Sequence, residues 1–293
     1  MHAGVGRRPA FTLAAGSLIA ILTVLANGAS AGALDRIRQD KTIRIAYRED
    51  APPFSYKNKI GEPAGFMVDL CRAVAKKLTR QLQMPNLSVL YVPVTAASRF
   101  AAIEQNKADL LCEPTSATLA RRQQVDFSIP TYLDGASLMI RADGPRDLQA
   151  MAGRKIGVLD NTTTEQMLRR TLKDAGVTAD VILTKTHAEG LALLDDGTIA
   201  AYFADRDILT SLINDSKAPE KLAVADNYLT VEPYALALPH GDEDFRLAVD
   251  RALSHIYRSG EIGPIFQQAF SGKAKPSPIL QVLYVISGLP DQV

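Results

Sequence analysis

FAAIEQNKADLL at residues 100–111 and LALLDDGTIAAY at 191–202 align without a gap at a spacing of 91 positions. Each reads as a helix, a polar turn and a short apolar run, the pattern of a helix feeding a buried strand. The rhythm extends outward from both copies. Around the first, apolar or β-branched runs at 43–47, 87–92 and 108–112 alternate with helical patterns at 68–79 and 96–104. Around the second, runs at 155–158, 181–183 and 200–203 alternate with helical patterns at 165–175 and 187–194. Strands joined through helices are the α/β signature, and its repetition predicts two lobes of one kind. Both repeat strands end in polar residues, 113–118 and 205–207. Ligands of open α/β sheets gather beyond the carboxyl ends of strands, so the two ends are expected to face one cleft.

Between the repeats, residues 128–142 carry Pro130, Gly135 and an extended apolar run that suits a segment crossing between lobes; residues 231–239 form a second candidate. Two such crossings make a hinge. They divide the chain into a signal segment at 1–31, a first lobe at 32–138, a second lobe at 139–235, and a return to the first lobe at 236–293. The return begins with amphipathic helical patterns from Asp242 and over 261–270. It ends in a tail helix at 279–286, beyond Pro276 and Pro278, expected to pack on the first lobe.

Arg7 and Arg8 precede an apolar run at 10–26 that is shorter than a membrane span needs, and Ala29-Ser30-Ala31 offers a small-residue cleavage site. This reads as an export signal whose removal leaves a mature chain starting near Gly32. No cysteine follows the run to carry a lipid. With 33 basic and 32 acidic residues, and a formal charge moving from +1 to −1 on loss of the two arginines, neither nucleic acid nor a charged membrane surface is indicated as a partner. Cys71 and Cys112 would sit in a compartment where disulfides persist. Both fall on elements that bury toward one core, and the sequence leaves open a bridge or two buried thiols.

GFMVDLCRAVAKKL at 65–78, ADLLCEPTSATLARRQQVDFSIP at 108–130 and YRSGEIGPIFQQAF at 257–270 resemble the family 3 extracellular solute-binding proteins of amino-acid importers, in order and over nearly the whole mature chain. YREDAPPFSY at 47–56, VPVTAASRF at 92–100, CEPTSATLARR at 112–122 and LTKTH at 183–187 are most similar to the glutamate- and aspartate-binding branch. The resemblance implies a type II periplasmic-binding-protein fold of two α/β lobes joined by two strands. It implies a monomer that closes on an amino acid in the periplasm and presents it to an inner-membrane ABC permease, with no cofactor.

A buried amino acid needs a fixed cation, a fixed anion and a discriminating wall. By the resemblance, Arg121 receives the α-carboxylate, a role its planar fork suits, with Ser116 and Thr118 adding hydrogen bonds. Asp205 receives the α-ammonium, although an aspartate after a strand also suits a plain helix cap. Thr162 and Thr163 open a helix, Thr162 with Glu165 having capping-box spacing, and that helix start would meet the carboxylate from the other lobe. Arg48, Arg99 and His187 align with contacts to a side-chain carboxylate. Two buried arginines would otherwise lack countercharge, which favours an acidic ligand. Arg48 beside Glu49 and Asp50, an exposed Arg99, and a surface His187 at a helix start are the bland alternatives. Pro114 departs from the family pattern where a small residue is usual, and Met67 where an acidic one is usual.

A dehydratase of cyclic carboxylic acids on the same fold is the rival reading. Its acid or base would have to be Glu113 or His187, neither with a recognisable partner in the sequence. A receptor for a different amino acid, or a sensor lobe, remains open.

Overall fold

The computed structural model describes residues 1–4, 6, 32–225, 228–270 and 274–292. The expected signal segment and cleavage site lie almost wholly outside them. The chain divides into two compact units, Met1–Ser30 and Ala31–Val293, and the second carries the architecture.

Helix α1 (Ala33–Asp40) leads into β1 (Thr42–Arg48). A small antiparallel sheet of β2 (Asp50–Ala51), β3 (Ser55–Lys57) and β4 (Pro63–Ala64) follows. Helix α2 (Phe66–Gln81) buries Phe66, Leu70, Cys71, Val74 and Leu78, an i, i+4, i+5, i+8, i+12 stripe that fits one face of a helix. Then come β5 (Ser88–Val94), α3 (Arg99–Glu104) and β6 (Leu110–Leu111). Strand β7 (Val125–Asp134) passes through Gly135 into β8 (Ala136–Arg141), which belongs to a different sheet.

The second half builds β9 (Lys155–Leu159), α4 (Thr163–Asp174), β10 (Asp180–Thr184), α5 (His187–Asp195), β11 (Ala201–Asp205), α6 (Arg206–Ile213) and β12 (Leu222–Val224). Strand β13 (Glu232–Pro239) returns to the first sheet, and α7 (Glu243–Arg258), α8 (Ile262–Ala269) and α9 (Pro278–Ser287) complete the chain. The two five-stranded sheets run β5-β1-β6-β13-β7 and β10-β9-β11-β8-β12. In each, the strand of the internal repeat, β6 or β11, lies beside a parallel neighbour and an antiparallel one.

The two segments that change sheets are bonded to each other. The Ala136 amide donates to Thr230 Oγ1 at 2.7 Å, and the Leu229 amide donates to the Ala136 carbonyl at 2.8 Å. At Gly135 an added Cβ would lie 2.0 Å from the Thr230 carbonyl oxygen, so only glycine lets the segments approach this closely. The tail helix α9 buries Leu280 and Tyr284, and the Tyr284 hydroxyl donates to the Thr131 carbonyl of β7 at 3.3 Å.

Cys71 of α2 and Cys112 at the end of β6 form a disulfide, with Cα atoms 6.3 Å apart. This closes the question the sequence left open.

Helix α5 lies close on the second sheet because Gly190 faces Tyr202. An added Cβ there would sit 2.1 Å from the ring, which is fully buried and has no room to yield. Gly190→Ala is therefore expected to cost about 1–3 kcal/mol of stability. That outweighs a helix-propensity gain of at most about 1 kcal/mol. Urea unfolding checks it, and a stabilised variant would contradict the packing described.

Candidate functional site

The elements that end in polar residues converge. Strand β1 delivers Arg48, the first residue of α3 is Arg99, and the loop after β6 supplies Glu113, Pro114 and Ser116. A short 3₁₀ turn presents Arg121. From the second half come Thr162 and Thr163 at the start of α4, His187 at the start of α5, and Asp205 at the end of β11. All of these line one narrow cleft whose free volume, about 20 Å³, is little more than a water molecule needs, so an amino acid would enter only as the two halves part. Thr118 is the exception among the expected residues. Its Oγ1 accepts from the Arg121 amide at 3.2 Å and it lines a separate surface depression, so its hydroxyl shapes the turn under Arg121 and does not reach the cavity.

Three arginines meet here. The Arg121 head donates from Nη1 to the Ser116 carbonyl at 2.8 Å and lies 5.2 Å from the centre of the Phe100 ring; Arg99 lies 4.6 Å from the same ring. Burial lowers the pKa of both, that of Arg99 to about 10, and Glu113 partly offsets the effect in each. Both heads remain cationic near neutrality. Arg99 is only 3% exposed, which excludes the surface alternative. It donates to the Ala96 carbonyl and, across to the other half, to the Asn161 carbonyl at 3.1 Å.

Arg48 donates from Nε and Nη2 to Asp50 Oδ1 at 2.8 and 2.7 Å, so the pairing with Asp50 does occur. Glu113 lies between the two guanidinium groups, 3.8 Å from Arg48 Nη1 and 3.5 Å from Arg99 Nε. The expectation of two arginines without countercharge is corrected accordingly: Asp50 and Glu113 already supply it. The reason is tertiary, because Glu113 follows a different strand and only the fold brings it between them.

Asp205 does not act as a cap, since its side chain makes no bond to the first turn of α6. Its Oδ1 is buried without a hydrogen-bond partner. Burial, and next the negative charge of Glu232, push its carboxyl up to about 7. Glu232 itself accepts from two hydroxyls that arrive from opposite halves, Ser116 and Thr163, the latter at 2.8 Å. Thr162 is a true N-cap, accepting from the Glu165 amide at 3.1 Å.

His187 is 3% exposed, and its Nδ1 lies 3.0 Å from the Tyr202 hydroxyl. Burial, then the charge of Arg48, drive its pKa down to about 3. Unfolded histidine titrates near about 6.5, so between these values the unfolded chain takes up a proton that the folded chain refuses. The stability this contributes is full above about pH 6.5 and is lost as pH falls. His187→Gln is therefore expected to gain about 1.4 kcal/mol relative to the unmodified chain between about pH 7.5 and 5.5, read from urea midpoints. A pH-independent difference would show that His187 titrates normally.

Glu232 and Phe100 were not singled out by sequence. Phe100 stood in plain view in the repeat as a core-type aromatic. Glu232 opens a crossing strand and has no motif around it, so no signal marked it. Among the described residues, no group of three or more histidine, cysteine or acidic side chains is arranged to hold a metal ion, and no helix is long and apolar enough to cross a membrane.

The model of the bacterial extracellular solute-binding proteins, family 3, matches residues 43–272. The chain belongs to that family. Family 3 members similar to it include the L-glutamate/L-aspartate-binding protein of Pseudomonas aeruginosa, 28% identical over 84% of this chain and 82% of that protein. The glutamate/aspartate import solute-binding protein of Escherichia coli is 24% identical over 92% and 90%. Among solved structures, the ancestral amino-acid-binding protein AncCDT-1, a precursor of cyclohexadienyl dehydratase, superimposes with a TM-score of 0.70 at 25% identity, covering 82% of this chain and all of that one. The L-cysteine receptor of Neisseria gonorrhoeae gives 0.73 at 23%, covering 84% and 98%. The family 3 chain has the type II periplasmic-binding-protein fold, two α/β lobes around a cleft.

Proposed function

We propose that this protein is a periplasmic receptor that closes its lobes on an amino acid and delivers it to an ABC permease of the inner membrane. One observation supports the reading: one cleft, lined from both sheets, holds the half-buried guanidinium of Arg121 and, from the other half, the carboxylate of Asp205, whose Oδ1 is buried without a hydrogen-bond partner. Those two charges complement a zwitterion. Arg121 and the backbone amides at the start of α4 would hold the α-carboxylate, joined by Ser116 and Thr163 once their hydroxyls turn from Glu232 to the ligand. An α-ammonium placed against Asp205 would relieve both its burial and its repulsion from Glu232, which makes the ammonium more welcome there than any neutral group. The side chain would then run toward Arg48, Arg99 and His187, and glutamate or aspartate is the ligand the named relatives favour. The second lobe would move as one body about the paired crossings, its bounds shifted from the expected 139–235 to about 136–231 because β8 begins the second sheet and β13 already belongs to the first.

The likeness to a dehydratase precursor keeps a catalytic reading in view, but that precursor is itself an amino-acid-binding protein. Here His187 is held neutral and bonded to Tyr202 and Glu113 sits between two arginines, so neither is presented as a proton donor. We take the protein to be a binding protein and not an enzyme.

Thermal shift of the ligand-stripped mature protein against the twenty amino acids tests this. A ligand at about 100 times its Kd should add about 2.7 kcal/mol to stability. Stabilisation by glutamate or aspartate is expected. Stabilisation by none of the twenty, with turnover of a cyclic acid, would replace the reading with the dehydratase.

A further inference from the structure

Glu113 is a buried carboxylate in the cleft that amino-acid binding as described leaves unused. It is 1% exposed. Most donors around it are engaged, Arg48 Nε and Nη2 on Asp50 and the two terminal nitrogens of Arg99 on the carbonyls of Ala96 and Asn161, while Arg48 Nη1 stands 3.8 Å from Glu113 Oε2. Arg99 Nε and Glu113 Oε1 lie 3.5 Å apart, but each is buried without a hydrogen-bond partner. An unsatisfied donor and an unsatisfied acceptor therefore stand side by side on residues that line the cavity. Leaving both bare costs free energy that a ligand supplying both partners would recover.

A planar group that accepts on one side and donates on the other fits this pair. A carboxamide does so through its oxygen and its NH₂. A carboxylate offers acceptors only: it would satisfy Arg99 Nε, leave Glu113 Oε1 bare and set two like charges together. We propose that Glu113 is a specificity-determining residue through which the cleft admits a side-chain carboxamide, that of glutamine or asparagine, alongside the acids. This rests on the amino-acid reading above, with the side chain directed at Arg48 and Arg99.

Isothermal titration of ligand-stripped protein with glutamine, glutamate, asparagine and aspartate is the test. The unmodified protein is expected to bind each amide within about tenfold of its acid, or more tightly. Glu113→Gln gives the corner an NH₂ that can donate to a carboxylate, so the acid should gain at least about tenfold relative to the amide. Glu113→Ala removes the repelling charge and should move the ratio in the same direction, which keeps the test open if one variant folds poorly by circular dichroism. An unmodified protein that binds glutamate and rejects glutamine by more than a hundredfold overturns the proposal and leaves the receptor reading intact. So does an acid-to-amide ratio that neither variant moves. Binding of no amino acid overturns both.

Discussion

Arg121→Ala is expected to weaken amino-acid binding by about 30- to 4,000-fold, the equivalent of about 2–5 kcal/mol for removing one partner of a buried charge pair. The size follows from where the head group sits. It is held by the Ser116 carbonyl at 2.8 Å and backed by the Phe100 ring, so it cannot swing aside to be replaced by water at low cost. It also stands in the field of Glu113, Glu232 and Asp205. Without it an incoming carboxylate would meet those charges with less cationic shielding. Arg121→Lys keeps the charge but loses the two-pronged geometry and should recover only part of the affinity. Titration calorimetry against the ligand found by thermal shift is the measurement. An alanine variant binding within threefold of the unmodified protein would remove Arg121 from the carboxylate role.

Loss of the Cys71–Cys112 bridge is the second large effect. The two residues are 41 positions apart, and closing a loop of that length restrains the unfolded chain by about 4 kcal/mol at 25 °C. For a chain of this size that corresponds to a fall in Tm of about 10 °C. Reduction, or Cys71→Ala with Cys112→Ala, should show it by calorimetry. Affinity should fall as well, because Cys112 immediately precedes Glu113 and leads into the loop that carries Ser116. Pinning the end of β6 to α2 holds that loop in place. A Tm change below about 2 °C would mean that packing alone fixes the strand end.

Much of the site was legible because its residues stand at the ends of periodic segments. Arg48, Arg99, His187 and Asp205 each start or end an observed strand or helix, within three residues of the bounds the apolar pattern marks, and all four line the cavity. Thr118 was misplaced in space although it lies three residues from Arg121: sequence proximity could not say that its hydroxyl turns back to an amide of its own turn.

The sequence by itself determined the two α/β repeats, the segments that cross between them, and the strand and helix ends that carry polar groups, because hydrophobic periodicity and strand-end chemistry are local properties. Only the tertiary structure decided which charges face one another. Asp50 and Glu113 neutralise the arginines, Glu232 gathers hydroxyls from both halves, Asp205 is left with a bare oxygen, and the two cysteines meet. These pairings join residues up to 116 positions apart. Their energies depend on distances of a few ångströms and on exclusion of water, quantities set only when the sheets are assembled.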